Sequence, residues 1–170
     1  WSTFRKYGEV IRSIVMRDER FCLVFRPHPG LGPTLKQTGI MTEEDFAAFF
    51  SGPRFLHHTA KDYYSAFRWS DALITDGSSF LVQYAPTGKP VVYLDRSDGW
   101  GLDASIDGDV RACYYCITNS DALRTTIEML SAGEDDMAGA RHQSQQRMCI
   151  GLSGPGAGDR IADYIARQLG

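Results

Sequence analysis

The fold of this chain is decided by the run Asp71-Ala-Leu-Ile-Thr-Asp-Gly-Ser-Ser79. Ala72 to Ile74 is a short apolar run of the kind that forms a strand covered on both faces. Ser79 to Ala85 is predicted to be a helix, so a glycine follows the strand and two serines lie at the start of the helix. This order predicts one unit of an α/β fold.

Two more apolar runs flank this unit and have the same buried character. Phe21 to Phe25 precedes it and Val91 to Leu94 follows it, with helical segments between the strands. The pattern predicts a single α/β domain over residues 1–170, with a Rossmann-like parallel sheet and helices on both faces. Such sheets bind ligands beyond the carboxyl ends of their strands.

Local signals complete the expected organisation. Helix caps are expected at Ser2, Thr42, Asp62 and Asn119, which precede segments of helical pattern. Short strands are expected at Arg54 to His57 and, at a sheet edge, at Tyr114 to Ile117. The glycine- and aspartate-rich segment from Asp95 to Asp109 is expected to be a long surface loop.

Composition excludes several classes of function. The formal net charge is −3 and no run of lysine or arginine occurs, which argues against nucleic acid as a partner. No apolar run approaches the roughly 20 residues of a membrane span. Cys113 and Cys116 have CxxC spacing, but in a strand they would point to opposite faces, so reduced thiols are expected and no metal site. The chain begins directly in a helix, so we expect it to be a piece of a longer protein.

The loop Thr75-Asp76-Gly77-Ser78-Ser79 is the strongest candidate binding site. Its backbone N–H groups and the dipole of the following helix attract anions, and the serine hydroxyls add donors. Simple capping of that helix by Ser78 or Asp76, without a ligand, is the alternative. A Walker loop is excluded because Pro90 follows the Gly88-Lys89 pair.

A second candidate is Arg26-Pro27-His28-Pro29, at the end of a predicted strand. The prolines stiffen the turn, and the histidine there would donate to a phosphate oxygen or move a proton. An incidental histidine in a surface turn is the alternative. In a parallel sheet this turn lies on the same rim as the Gly-Ser loop.

Arg160 follows the turn Gly154-Pro-Gly-Ala-Gly158 and lies in the first turn of a helix, where its charge opposes the dipole. A nearby anion would offset that cost, so Arg160 is a candidate phosphate clamp, with a solvated arginine as the alternative. A hydrolase triad of Ser78, His28 and Asp76 lacks the G-x-S-x-G pattern. His57 and His58 have no evident acid partner for a metal, and the aromatic residues from Tyr63 to Trp69 fit core packing.

Taken in order, these motifs resemble the carboxyl-terminal domain of the CDP-glycerol glycerophosphotransferase family. The similarity is carried by Arg26-Pro-His-Pro29, Asp71 to Ser79, Gly88-Lys-Pro-Val-Val92 and Arg160-Ile161. It implies a GT-B-type Rossmann-like domain that holds a CDP-linked donor, and transfer of glycerol phosphate to a hydroxyl with release of CMP. Related folds occur in other nucleotide-sugar glycosyltransferases and UDP-GlcNAc 2-epimerases, so the donor domain of such an enzyme is the alternative function.

The resemblance also implies roles for single residues. His28 matches the histidine that contacts the donor phosphates, and Thr75 to Ser79 match the diphosphate loop. Arg160 matches a basic residue near the phosphates. Gln83 and Arg26 are assigned to the ribose and nucleotide, although Gln83 stands where many relatives have Asp or Glu and Gly158 where they have Ser.

The implied partners are a nucleotide-diphosphate donor, a polyol phosphate or glycan acceptor, and an amino-terminal domain of the same protein. No metal and no cofactor are expected. The resemblance implies a cytoplasmic location at the inner face of the plasma membrane, and a role in making teichoic acid or capsule. A non-catalytic module with a degenerate site is the alternative that Gln83 and Gly158 favour.

Overall fold

The structure, a computed structural model, describes residues 3–96, 102, 104–148 and 156–169. Its helices are α1 (Phe4–Arg17), α2 (Leu31–Gln37), α3 (Glu43–Phe49), α4 (Tyr64–Trp69), α5 (Ser78–Tyr84), α6 (Ala104–Cys113), α7 (Ser120–Ser131), α8 (Ala138–Met148) and α9 (Ala157–Leu169). Its strands are β1 (Leu23–Phe25), β2 (Phe55–His57), β3 (Leu73–Thr75), β4 (Val91–Leu94) and β5 (Tyr115–Ile117). A short 3-10 turn, Ala85–Thr87, follows α5.

All strand pairs in the described residues are parallel, which confirms the predicted Rossmann-like α/β class. The strands form two sheets, β1–β2 and β3–β4–β5, rather than one continuous sheet. Leu73 pairs with Val91 in the second sheet, and Phe25 pairs with His57 in the first. Four of the strands are only three residues long, namely β1, β2, β3 and β5. Each of them therefore has few backbone N–H and C=O groups with which to pair with a further strand.

Strand β4 is the central strand of the larger sheet, and this position explains why β4 consists of apolar residues throughout. All four of its residues are buried. Val91 and Tyr93 pack against α4, α5 and α6, through residues such as Phe67, Leu81 and Val110. The other face, with Val92 and Leu94, packs against α1 and α7 through Tyr7 and Leu123. Covering a parallel sheet on both faces removes its apolar side chains from water.

The smaller sheet is covered on one face by an aromatic cluster. Phe4 at the start of α1 packs against Phe25 of β1, with 6.4 Å between ring centroids, and also against Phe46, Phe49 and Phe50. These contacts bring the amino terminus of α1 to the carboxyl end of β1.

Two sequence expectations are wrong. The segment from Asp95 to Asp109 is not a loop throughout, because α6 begins at Ala104. Burial of Val110 and Cys113 in the core stabilises this helix despite its glycine and aspartate content. Cys113 therefore ends a helix and only Cys116 lies in a strand, so the two thiols do not share one strand. Among the described residues, Cys22, Cys113 and Cys116 are not joined to one another by disulfide bonds.

Two of the predicted caps are confirmed: Thr42 accepts from the N–H of Asp45, and Asn119 accepts from that of Ala122. The cap position of α4 is Tyr63 rather than the predicted Asp62, which lies one residue earlier and accepts from the N–H of Tyr64. Ser2 lies outside the described residues. None of the described helices has the length and apolar character needed to cross a bilayer.

Candidate functional site

The Gly-Ser loop connects β3 to α5 at the carboxyl edge of the larger sheet. Thr75 Oγ1 accepts a hydrogen bond of 3.1 Å from the N–H of Gly77. This bond turns the backbone so that α5 begins at Ser78. The N–H groups of the first helical turn have no acceptor within the helix, so they are available to an anion. Ser79 is exposed at this edge.

The backbone conformation at position 77 does not require a glycine. Its φ is −108°, which any residue adopts, and an added Cβ would lie 3.7 Å from Thr75 Oγ1. The loop itself therefore has room for a side chain at this position.

Asp76 has a partner that the sequence did not indicate. Its Oδ2 accepts from the backbone N–H of Thr3 at 2.7 Å and from the Thr3 hydroxyl at 2.9 Å. A carboxylate here satisfies a backbone donor at the start of α1 and interacts favourably with the positive end of that helix. The amino termini of α1 and α5 therefore lie on either side of Asp76.

His28 is exposed in the turn that follows β1. Its Nδ1 accepts a 3.1 Å hydrogen bond from the N–H of Gly30. A backbone N–H only donates, so the neutral ring carries its proton on Nε2. In this tautomer the outer edge of His28 is a hydrogen-bond donor.

Arg26, two residues earlier, is half-buried and has a fixed position. Its Nη1 donates to His58 Nδ1 at 2.9 Å and to the carbonyl of Ala60 at 2.6 Å. Its guanidinium lies 5.7 Å from the centroid of the Tyr63 ring, within cation–π range. His58 and Tyr63 are thus part of the site's surroundings, which sequence reasoning missed. Arg26 and His58 directly follow Phe25 and His57, which pair in the parallel register, and this register places Arg26 beside His58.

Two routes of contact connect the β1 turn with the Gly-Ser loop. On one, the Tyr63 ring lies between Arg26 and Phe80, and the Tyr63 and Phe80 centroids are 5.3 Å apart. Phe80 is in the first turn of α5. On the other, Thr3 bonds Asp76 while the next residue packs on Phe25. Both routes run along the carboxyl ends of β1 and β3.

Gln83 is exposed on α5 and lines an open groove of about 420 Å³. Its other lining residues come from α4 and from the turn before β4: Tyr64, Phe67, Arg68, Pro86, Thr87 and Lys89. Lys89 is committed to structure there, since its Nζ donates to the carbonyls of Phe67, Arg68 and Ser70 at the end of α4. The Gly88-Lys89 motif is therefore a helix cap.

Arg160 lies in the first turn of α9 and is exposed. Its backbone N–H donates to the carbonyl of Gly156, and Asp159 accepts from the N–H of Gly156 at 3.0 Å. The residues from 154 to 155 of the preceding glycine turn lie outside the described residues. A role for Arg160 at the phosphates stays a prediction.

Other ionisable groups near the sheet edge are engaged within the protein. Asp95, directly after β4, pairs with Arg111 at 3.0 Å, and hydrogen bonds from Arg111 to Asp107 and Asp95 raise the arginine's pKa. Burial raises the pKa of Cys116, which keeps it a thiol at neutral pH. A hydrogen bond with Tyr64 raises the pKa of Tyr63, so it remains a phenol.

In the ranges that the structure describes, no group of three or more histidine, cysteine or acidic side chains is arranged to hold a metal ion. The described segments that follow β1 and β3 instead offer donors: backbone N–H groups of α5, the His28 ring and the Arg26 guanidinium. Such an arrangement suits an anionic ligand bound through hydrogen bonds.

Comparison with known families agrees with this chemistry. Residues 10–166 match the family described as CDP-Glycerol:Poly(glycerophosphate) glycerophosphotransferase. No curated protein and no solved structure matches the chain. Because the match spans most of the 170 residues, the resemblance drawn from the motifs is confirmed. The chain belongs to the CDP-glycerol:poly(glycerophosphate) glycerophosphotransferase family, a family of transferases.

Proposed function

We propose that this chain is the donor-binding domain of a glycerophosphotransferase and holds CDP-glycerol at the carboxyl edge of its sheets. The observation that carries the proposal is the pair of contact routes joining the His28 turn to the Gly-Ser loop. The match to the family over residues 10–166 supports the proposal that donors from these two turns bind one diphosphate together.

The reaction transfers glycerol phosphate to a hydroxyl of a polymer or glycan. The acceptor oxygen forms a bond to the phosphorus that carries glycerol. The bond from that phosphorus to the oxygen bridging the two phosphates breaks, and its electron pair leaves on CMP. The acceptor's hydroxyl proton passes to a base or to solvent.

Within this proposal His28 stabilises the leaving CMP. Its Nδ1 is engaged by Gly30, so its Nε2–H donates to a phosphate oxygen on which charge accumulates. The α5 N–H groups at Ser78 and Ser79, together with the hydroxyl groups of these serines, supply further donors along the diphosphate. No metal is needed for such charge stabilisation, because fixed N–H donors supply it.

The remaining loop residues shape the site. Thr75 accepts a hydrogen bond from the N–H of Gly77, and Asp76 accepts two hydrogen bonds from Thr3, so both residues hold the backbone in position. Gln83 would bond the ribose from the groove on α5, and Arg26 would bind the nucleotide beside Tyr63. Arg160 would reach the phosphates from α9.

The acceptor is proposed to bind to an amino-terminal domain of the same enzyme. The domain described would then bind donor without turning it over. Synthesis of teichoic acid or capsule at the inner face of the plasma membrane is the setting proposed from the family.

Calorimetry with CDP-glycerol, CDP, CMP and UDP-GlcNAc tests the proposal. We expect the cytidine diphosphate compounds to bind best, and the variants His28→Ala and Ser78→Ala to weaken them. His142→Ala on α8 is the matched control for loss of an exposed histidine. A preference for UDP-GlcNAc would indicate another nucleotide-sugar enzyme, and no nucleotide binding would indicate a non-catalytic module.

A further inference from the structure

The Arg26 guanidinium has an unusual set of partners for a half-buried cation. Both hydrogens of Nη1 are used, one by His58 Nδ1 and one by the Ala60 carbonyl. Its Nε and Nη2 atoms have no partner among the residues that the structure describes, and no described carboxylate lies within ion-pair distance. Half-buried charges are ordinarily paired, so the arrangement points to an anion that completes it.

The edge that stays open is the one best suited to an oxyanion. Nε–H and the neighbouring hydrogen of Nη2 lie parallel in the guanidinium plane and match two oxygens of a phosphate. Occupation of Nη1 fixes the rotation of the plane, and the Tyr63 ring at 5.7 Å supports one face. The guanidinium is therefore held in place before any ligand arrives.

His58 is the side chain that holds it. Arginine only donates, so His58 Nδ1 must accept and its proton lies on Nε2. β1 and β2 run in parallel with Phe25 opposite His57, which brings the following residues, Arg26 and His58, side by side. His57 differs from its neighbour, because its ring packs against Phe25 at 5.4 Å between centroids.

We propose that His58 is a positioning residue that aims the Nε and Nη2 edge of Arg26 at the diphosphate of the donor. The inference rests on the proposed function, since the donor supplies the anion. It gives Arg26 a phosphate rather than a ribose as its ligand. It also makes the segment from His58 to Tyr63 part of the donor site.

The test measures binding of CDP, cytidine and inorganic pyrophosphate to the wild type and to His58→Ala, His58→Asn and His57→Ala. Loss of the acceptor in His58→Ala should weaken CDP and pyrophosphate by about tenfold, the effect of one hydrogen bond to a charged group. Cytidine binding should not change. Asparagine places an acceptor near the position of Nδ1, so His58→Asn should restore most of the affinity. His57→Ala is the matched control and should bind as the wild type does.

A double-mutant cycle adds a measurement that a general loss of stability would not reproduce. If His58 acts through Arg26, then His58→Ala should have little further effect in the Arg26→Lys background, where the two-pronged edge is already lost. Thermal unfolding of each variant shows whether it is folded.

The outcomes separate this inference from the proposed function. If CDP binds and His58→Ala binds it equally well, or if the two substitutions add fully, the positioning role is overturned while the proposed function stands. If pyrophosphate binds in a His58-dependent way but CDP does not, the anion edge stands and the donor assignment fails. If the wild type binds neither compound, both are overturned.

Discussion

Replacement of Asp76 by alanine should destabilise the domain, although this residue lies in the candidate phosphate loop. The substitution removes the acceptor of two hydrogen bonds, which the N–H and the hydroxyl of Thr3 donate to Asp76 Oδ2 at 2.7 and 2.9 Å. Loss of the bond from the N–H of Thr3 costs about 1 kcal/mol, and loss of the bond from its half-buried hydroxyl adds about 1 kcal/mol. We therefore expect a loss of about 2 kcal/mol in the free energy of unfolding. For a domain of this size that corresponds to about 4–8 °C in Tm.

Urea unfolding of the wild type, Asp76→Ala, Thr3→Val and the double variant measures the effect. Thr3→Val removes the hydroxyl and keeps the backbone donor, so it should cost about half as much as Asp76→Ala. Since both residues share one interaction, the double variant should be less destabilised than the sum of the single ones. An unchanged urea midpoint for Asp76→Ala, or full additivity, would refute the stabilising role of the Asp76–Thr3 contact. Weakened donor binding without any loss of stability would instead support direct contact of Asp76 with phosphate.

Three further predictions concern Lys89, Gly77 and Asp135. Lys89→Met should lower the free energy of unfolding, measured by urea titration, by about 2 kcal/mol, because three carbonyls at the end of α4 lose a charged donor. A change below about 0.5 kcal/mol would contradict this role of Lys89. Gly77→Ala should leave stability unchanged or raise it by about 0.5 kcal/mol in the same assay, since its φ of −108° suits alanine; a clear loss would show strain. Burial opposes ionisation of Asp135, but hydrogen bonds from Arg141 and Tyr115 prevail and lower its pKa. The stabilisation of the folded state by the Asp135 carboxylate is therefore complete above an unfolded pKa of about 4 and is lost as pH falls through the lower folded pKa. The stability advantage of the wild type over Asp135→Asn should shrink below about pH 4. An advantage independent of pH would contradict this assignment.

The Asp135 contacts belong to a polar network inside the domain. Arg141 is 4% exposed, ion-paired with Asp135 and bonded through Nε to the carbonyl of Gly88 at 2.8 Å. The Tyr115 hydroxyl donates to the same carboxylate at 2.9 Å. These bonds tie α8 to the turn that precedes β4. Removal of either charge would leave the other without its ion-pair partner inside the domain, which costs more than the pair itself contributes.

Local patterns in the sequence determined most of the secondary structure. The apolar run of β4 and the caps at Thr42 and Asn119 depend on neighbours a few residues apart, so their physics is visible in a short window. The Gly-Ser loop was likewise identified from its place between a strand and a helix. α6 was missed, because burial of Val110 in the core outweighs the weak helical propensity around it.

Only the tertiary structure decided what the polar residues of the site do. Thr3 and Asp76 are 73 positions apart and Arg26 and His58 are 32 apart, so no local pattern relates them. The same holds for Lys89, whose three acceptors lie 19 to 22 residues earlier in the chain. Sequence determines which groups can donate or accept, whereas the packing of parallel strands determines which of those groups meet.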